Sequence, residues 1–251
     1  MVRGLYTAGT GMMLQRRRME NITNNIANAD TTGYKKDNLV SHSFDAVMIE
    51  RIKDTHVVGY TRNVGPLNMG TQIDQLYVNF EQGGMEETGR STDLAIIGDA
   101  FFVMQTQGGE RYTRNGAFYV DEGGYLVDGE GNYLLGENGP LYVAGLNFSV
   151  DAAGGVWVNE TFTDRIRVAS FADNGQLRKE GSNLYTSLAA PLGEAEPYGI
   201  RQGFLENSNV DIAREMVDML TVFRTYETNQ RMMQMIDETV GKAVNEIGRL
   251  R

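Results

Sequence analysis

Residues Leu5–Lys36 read LYTAGTGMMLQRRRMENITNNIANADTTGYKK, and this stretch decides the N-terminal part of the fold. Every seventh residue from Leu5 to Ile26 is apolar, and most residues three positions later are apolar too. Such a seven-residue repeat predicts a helix with one apolar seam that packs against another helix. The seam stops at Asp30–Gly33, where small polar residues and a glycine favour the end of a helix.

A second apolar seam runs through the C-terminal part of the chain, in steps of seven from Ile212 to Ile247. At about 1.5 Å per residue, the two predicted helices are about 40 and 60 Å long. Burying a large apolar side chain gains about 1.5–3 kcal/mol, whereas ordering a residue costs about 1–2 kcal/mol, so a helix with one apolar stripe is not stable alone. The seams therefore predict packing between the two helices or with other copies of the chain, although core faces of an ordinary bundle would show the same pattern.

The predicted helix seam and subunit interface comprise these residues: Leu5, Ala8, Met12, Met19, Ile22, Ile26, Ile212, Met216, Met219, Val222, Phe223, Tyr226, Met233, Ile236, Val240 and Ile247. A polar set follows the first seam: Asn24, Asn25, Asn28, Thr32, Gly33 and Tyr34. Asparagine amides both donate and accept hydrogen bonds. We interpret the asparagines as contacts between identical neighbours, with helix capping and a solvated face as the alternatives.

The centre of the chain is typical of an antiparallel β domain. Short alternating runs are separated by Gly108-Gly109, Asn115-Gly116, Gly123-Gly124 and Asp128-Gly129, which are turn signals. We predict the fold class α+β, in which long N- and C-terminal helices form a coiled-coil-like inner domain with an inserted, mainly antiparallel β domain. The predicted domains are an N-terminal helix (1–30), an extended connector (31–87) with a short helix at Phe44–Arg51, the β domain (88–200) and a C-terminal helix (201–251).

The composition excludes several classes of function. The 251 residues carry a formal charge of −10, which argues against a general nucleic-acid binder, and the lack of cysteine removes thiolate nucleophiles and cysteine-ligated metals. We also expect no membrane insertion and export without a cleaved signal peptide, because no long apolar segment and no signal-like N-terminus is present. The acidic pairs lie in turn-like sequence and two histidines are too few for a metal site or triad, so we predict no enzyme and no cofactor.

Five stretches together resemble the flagellar rod and hook family of axial proteins. They are Leu5–Met12, Asn21–Lys36, Phe80–Gln105, Arg111–Gly136 and Gly203–Asp237. The second contains the family's Asn-Asn-x-Ala-Asn-x-x-Thr-x-Gly-Tyr/Phe signature. The last has these residues in the expected pattern: Glu206, Ser208, Asn209, Glu215, Met216, Arg224, Tyr226, Glu227 and Asn229.

This resemblance implies a structural subunit of the basal-body rod, located in the periplasm and cell-wall zone. It implies self-assembly into a hollow helical drive shaft that transmits torque from motor to hook, with other rod and hook subunits as partners. It also implies export through the flagellar type III apparatus. Two other functions stay open: a hook or junction adaptor of the flagellum, and a carbohydrate-active or carbohydrate-binding β domain.

Overall fold

The computed structural model describes residues 2–51, 62–144, 147–181, 183–187, 190–192 and 197–247. The chain divides into two compact units. We call Met1–Ile26, Asp37–Tyr77 and Ile212–Arg251 the helical unit, and Ala27–Lys36 and Val78–Asp211 the β unit.

The described residues contain two α-helices, α1 at Val2–Ala27 and α2 at Ile212–Lys242, and α2 continues into a π-helical turn at Ala243–Ile247. The β character of the centre agrees with the prediction, but the long coiled-coil-like helices do not, and the predicted fold class is wrong in this respect. At about 1.5 Å per residue, the 26 and 31 residues of α1 and α2 span about 39 and 47 Å. Strands, including four within the helical unit, make up much of the remaining described chain.

Three side chains of α2 lie over glycines of α1: Asn229, Met233 and Ile236. A Cβ atom at Gly4 would lie 3.2 Å from Cδ1 of Ile236, and one at Gly11 would lie 3.0 Å from Nδ2 of Asn229. Higher numbers on α1 meet lower numbers on α2, so the pair is antiparallel. A coiled coil needs large side chains that insert into holes on the facing helix. At Gly4, Gly9 and Gly11, α1 has no side chain to insert between those of α2, and four strands form part of the helical unit, so the prediction of a coiled-coil-like inner domain is wrong.

Four strands belong to the helical unit: β1 at Asp37–Ser43, β2 at Val47–Arg51, β3 at Arg62–Leu67 and β4 at Thr71–Val78. Strand β1 pairs with β4, and β2 pairs antiparallel with β3. The short helix expected at Phe44–Arg51 is therefore a strand. Val47 and Ile49 are β-branched and favour an extended backbone, which outweighs the weak helical pattern.

The β unit contains the other strands. They are β5 at Met85–Glu87, β6 at Leu94–Ile97, β7 at Phe101–Thr106, β8 at Gly109–Thr113, β9 at Tyr119–Val120, β10 at Leu126–Val127, β11 at Tyr133–Gly136, β12 at Gly139–Pro140, β13 at Phe148–Val150, β14 at Gly155–Val158, β15 at Thr161–Arg165, β16 at Val168–Ala169, β17 at Leu177–Glu180, β18 at Leu184–Ser187, β19 at Gly199–Gln202 and β20 at Phe204–Glu206. A 3₁₀ turn lies at Asn174–Gln176.

A nine-stranded sheet with β7 near its centre forms the framework of the β unit. Its strand order is β17-β18-β8-β7-β11-β10-β9, with β12 beside β11 and β16 beside β7. Strand β7 is buried on both faces: Phe102 and Met104 enter one apolar core, and Phe101 and Val103 enter the other. The continuous apolar run of this strand is what a strand covered on both sides requires.

Three of the four predicted turn signals lie at hairpins, at Gly108-Gly109, Gly123-Gly124 and Asp128-Gly129. The fourth, Asn115-Gly116, does not join paired strands. There the backbone N–H of Leu94 donates to the carbonyl of Gly116, at 3.0 Å, and Asn115 caps its own turn by accepting from the N–H of Ala117. A long-range backbone contact therefore replaces the local hairpin.

Candidate functional site

Helix α2 presents a row of large apolar side chains at its surface. We call Ile212, Met216, Leu220 and Phe223 the exposed α2 row; their exposed fractions are 39%, 52%, 58% and 47%. They recur at three- and four-residue intervals and therefore share one side of the helix. Of the 31 residues of α2, all of which the structure describes, only Glu215 and Val222 are buried. Helix α2 thus carries large apolar side chains that the rest of the chain leaves exposed.

The predicted seam residues fall into three groups in the single chain. Buried are Ala8, Ile22 and Val222; half-buried are Met12, Met19, Ile26, Met219, Tyr226, Met233 and Ile236; exposed are Leu5, Ile212, Met216, Phe223 and Val240. The side chain of Ile247 lies outside the described residues. On α1, Ala8 and Ile22 are buried. In the row that starts at Leu5, the first residue is exposed and the later ones are half-buried. Sequence reasoning missed Leu14, which is 6% exposed.

The strands of the helical unit add further apolar surface. Val47, Met48 and Val64 on the β2–β3 pair are 51%, 54% and 67% exposed. Leu76 and Tyr77 at the end of β4 are 61% and 48% exposed. Contiguous exposed apolar surface of this kind marks association sites. The helical unit therefore offers apolar surface on both its helices and its strands.

Asn25 of the predicted polar set joins the end of α1 to the start of β1. Its side chain is 1% exposed; Nδ2 donates to the carbonyl of Asp37 and Oδ1 accepts from the N–H of Asp37, each at 3.0 Å. Nδ2 also lies 3.4 Å from Oε2 of the buried Glu215 on α2. Asn21 donates to the same carbonyl at 2.8 Å. Asn25 thus ties three segments of its own chain together.

The other members of the polar set lie in different environments. Asn24 is exposed and Asn28 is half-buried. Thr32 donates from its hydroxyl to Oδ1 of Asn115 at 2.7 Å, and Tyr34 is 3% exposed with Nζ of Lys179 3.8 Å from its ring centre. Whether any of them also contacts a neighbouring copy stays a prediction.

Gly33 adopts a left-handed backbone conformation, with φ of 66°. A Cβ atom at this position would lie 2.5 Å from the backbone carbon of Arg114. Only glycine satisfies both the torsion angle and this close approach without strain. The residues predicted to end the first helix, Asp30–Gly33, therefore also hold the chain after α1 against the backbone of Arg114.

Asn209 holds three backbone segments of the β unit together. Its Oδ1 accepts from the N–H of Lys36 at 2.8 Å, and its Nδ2 donates to the carbonyls of Asn79 and Glu81 at 2.9 and 3.0 Å. The N–H of Asn79 in turn donates to the carbonyl of Lys36 at 2.8 Å. Lys36, Asn79 and Asn209 are close in sequence to the boundaries between the units at 36/37, 77/78 and 211/212. These hydrogen bonds fix them within the β unit.

Lys35, Arg114 and Glu206 form a buried charge cluster in the β unit, with side chains at most 1% exposed. Nζ of Lys35 lies 2.6 Å from Oε1 of Glu206, and a guanidinium nitrogen of Arg114 lies 3.5 Å from Oε2. Burial lowers the pKa of Lys35 from its ordinary value of 10.5, and the nearby Glu206 carboxylate opposes this shift. Burial likewise lowers the pKa of Arg114, again against the effect of Glu206. Of the neighbouring groups, the Glu206 carboxylate opposes the lowering of the pKa most strongly for both Lys35 and Arg114.

Sequence reasoning gave this cluster no role. Glu206 and Asn209 stood in the family pattern, and Lys35 lies in the stretch Asn21–Lys36 that carries the resemblance. Nothing local indicates that Lys35 and Glu206, 171 positions apart, form a pair. A lysine beside an aromatic residue and a turn is usually solvated. Only burial in the folded chain reveals the cluster.

Charge is divided unevenly between the two units. The β unit holds 21 of the 33 acidic residues and 10 of the 23 basic ones, so its formal charge is −11. The helical unit holds 12 acidic and 13 basic residues, so its formal charge is +1. A formal charge near zero gives the helical unit little net electrostatic repulsion toward another molecule, whereas the strongly acidic β unit repels like-charged molecules.

Among the described residues, no group of three or more histidine, cysteine, aspartate or glutamate side chains is arranged to hold a metal ion. In the same part of the chain, no helix has the length and apolarity to cross a bilayer. The structure instead shows exposed apolar side chains on the helical unit. In the β unit it shows a hydrogen-bonded group of residues around Lys35, Glu206 and Asn209.

Three family profiles match successive parts of the chain. The profile described as "Flagella basal body rod protein" matches residues 5–35, and "Flagellar hook protein FlgE/F/G D1 domain" matches residues 95–182. The profile described as "Flagellar basal body rod FlgEFG protein C-terminal" matches residues 201–246. These matches cover α1, most of the β unit and α2.

Similarity to individual proteins extends over full lengths. The chain is 32% identical to the flagellar hook-basal body complex protein FlhO of Bacillus subtilis, with 100% of both proteins covered. It is 31% identical to the flagellar basal-body rod protein FlgG of Bacillus subtilis, over 98% of this chain and 99% of the relative. It is 33% identical to the rod protein FlgG of Borreliella burgdorferi, over 98% of each.

Proposed function

Since the chain belongs to the family of flagellar basal-body rod and hook proteins, we propose that it is a structural subunit of the bacterial flagellar rod. Its place is the basal body, and its role in motility is mechanical. Two of the three relatives described above are rod proteins by name, and the third is named a hook-basal body complex protein.

The exposed α2 row is the observation that carries this proposal. Burying a large apolar side chain gains about 1.5–3 kcal/mol, so four uncovered side chains on one helix side represent a large unused driving force. A second copy of the chain, or a related rod subunit, covers the row and supplies that gain. Association in the rod is thus what makes a weakly buried 31-residue helix stable.

The helical unit of each subunit packs against its neighbours through the exposed rows of α1 and α2. The exposed and half-buried seam residues supply these contacts, together with the exposed Asn24 of the polar set. Contacts between different patches of identical subunits do not close on themselves, and repetition gives an open helical tube. Slipping one helix past another would expose apolar side chains, so the tube resists twist and transmits torque. Other rod and hook subunits join its ends, and export proceeds through the flagellar type III apparatus.

We test this with charged substitutions in the exposed α2 row. Met216→Asp and Phe223→Asp place a carboxylate where an apolar contact is needed, so both variants should remain monomeric at concentrations at which the unchanged protein forms helical tubes. Electron microscopy and sedimentation at rising concentration measure assembly, and circular dichroism checks the fold.

Thr221→Asp is the matched control. Thr221 is exposed on the same helix, but at about 100° per residue it lies well away from Met216 and Phe223. It should assemble like the unchanged chain. Normal tubes from both row variants, or equal loss in the control, would count against assembly through this row.

A hook-proximal or junction position is the second candidate, because the relative FlhO is named a hook-basal body complex protein. In purified basal bodies, tagged protein confined to the end of the rod would support this position, and label along the rod would support a rod position.

A further inference from the structure

The buried charge cluster joins the chain segment after α1 to the segment before α2. We call residues 27–36 the N-terminal connector and residues 204–209 the C-terminal lead-in. The N–H of Gly33 donates to the carbonyl of Glu206 at 2.7 Å, and the N–H of Lys36 donates to Oδ1 of Asn209 at 2.8 Å. The two segments are therefore seated on the β unit side by side.

Lys35 lies on the N-terminal connector and Glu206 on the C-terminal lead-in, and each provides the nearest counter-charge of the other, at 2.6 Å. Among the described residues, the Lys35 ammonium donates to the Glu206 carboxylate and to the carbonyl of Glu81, the latter at 2.7 Å. The Glu206 carboxylate also accepts from the N–H of Gly83 at 3.0 Å. Neither of these neutral partners can balance a full charge that is removed from water.

Arg114 differs because the sheet itself satisfies part of its charge. One guanidinium nitrogen donates to the carbonyl of Gly98 at 2.7 Å, and the group lies 4.9 Å from the ring centre of Phe101. Asp99 is 3.8 Å away. At 3.5 Å, its contact with Glu206 is the longer of the two cation contacts in the cluster. The pair between Lys35 and Glu206 is therefore the contact that joins the two segments.

Breaking a buried pair by removing one partner leaves an uncompensated charge, which is strongly destabilising. If the lead-in leaves, docking the connector buries Lys35 without its counter-ion. If the connector leaves, docking the lead-in buries Glu206 with Arg114, at 3.5 Å, as its one remaining counter-charge in the cluster and without the closer contact to Lys35. Each segment thus gains most from docking when the other is in place.

We propose that Lys35 and Glu206 are positioning residues that make the docking of the N-terminal connector and the docking of the C-terminal lead-in conditional on each other. The two ends of the sequence then become ordered on the β unit together rather than separately. This coupling belongs to the single chain and does not depend on assembly into a rod.

Hydrogen exchange of the full-length monomer tests the coupling. Glu206→Gln removes the charge and keeps the shape, and it should speed exchange of the connector amides of Gly33 and Lys36 by about a hundredfold. Lys35→Met should speed exchange of the lead-in amide of Asn207 by a similar factor. In the double variant, the acceleration should be much smaller than the product of the two single effects.

The exposed pair Arg167 and Glu110 provides the matched control, with contacts of 2.7 and 2.8 Å. Arg167→Met and Glu110→Gln should leave the connector and lead-in amides unchanged. Connector amides that stay fully protected in Glu206→Gln would overturn the proposal. So would a double variant whose effect equals the product of the single effects.

Amides of strand β7 report whether the sheet remains folded in these variants. If Glu206→Gln unfolds β7, Glu206→Asp replaces it, because it keeps the charge and withdraws it from Lys35 by one methylene. This variant should loosen both segments and leave β7 protected. Loosening of the lead-in alone, with the connector unaffected, would again overturn the coupling.

Discussion

Gly33 shows how a single residue can serve two requirements. Its φ of 66° is costly for a residue with a Cβ atom, and the backbone of Arg114 lies where that atom would be. Gly89 shares the left-handed conformation, with φ of 71°, but has open space around it. The two glycines therefore separate the cost of the torsion angle from the cost of the contact.

Gly33→Ala should lower the free energy of unfolding by about 2–4 kcal/mol, because torsional strain and overpacking add. Gly89→Ala should lower it by about 1–2 kcal/mol, from torsional strain alone. Urea unfolding followed by the fluorescence of Trp157, the single tryptophan, measures both values. Equal losses in the two variants would show that the contact with Arg114 contributes nothing.

At the scale of elements, the β14–β15 hairpin carries a local conflict between sequence and geometry. Val158 pairs with Thr161, so the loop consists of Asn159 and Glu160, whose φ values are 49° and 63°. A two-residue loop with both residues left-handed is the turn that favours Asn-Gly. Glutamate at the second position therefore strains this hairpin.

Glu160→Gly should raise the free energy of unfolding by about 0.5–1 kcal/mol, because it removes the strain of the left-handed conformation. A shift of the urea midpoint to higher concentration, followed by Trp157 on the same hairpin, is the expected result. Glu122→Gly is the control: Glu122 is an exposed turn residue without positive φ, and glycine there should be destabilising. A midpoint that falls in Glu160→Gly would contradict the strain.

For the whole molecule, burial is distributed very unevenly between the two units. Strand β7 is buried on both faces, whereas α2 buries two of its 31 residues. Local opening free energies follow buried contacts. The single chain therefore has a well-buried β unit and a weakly buried helix α2.

Hydrogen exchange of dilute protein should show amides of β7 exchanging slowest and amides of α2 exchanging at least about tenfold faster. In assembled rods, protection of α2 should rise, and that of β7 should hardly change. Protection of α2 equal to that of β7 in dilute monomer would contradict this distribution.

The sequence alone determined the features that arise from local patterns. Period-seven apolar residues placed helices at both ends, and glycine-containing turn signals placed three hairpins of the centre, because helix periodicity and turn geometry depend on neighbours in the chain. The stop at Asp30–Gly33 followed from the same local chemistry. The motifs also identified the family.

Tertiary structure decided which side of each helix is covered and which charges are buried. Ala8 and Ile22 are buried, whereas Leu5 is exposed and the residues seven, fourteen and twenty-one positions after it are half-buried. The seven-residue apolar repeat predicts which residues share one side of a helix, but it does not predict what packs against that side. Lys35 and Glu206 look like ordinary surface charges until the fold brings them within 2.6 Å. Pairing and burial across 171 positions depend on the folded backbone and not on the local sequence.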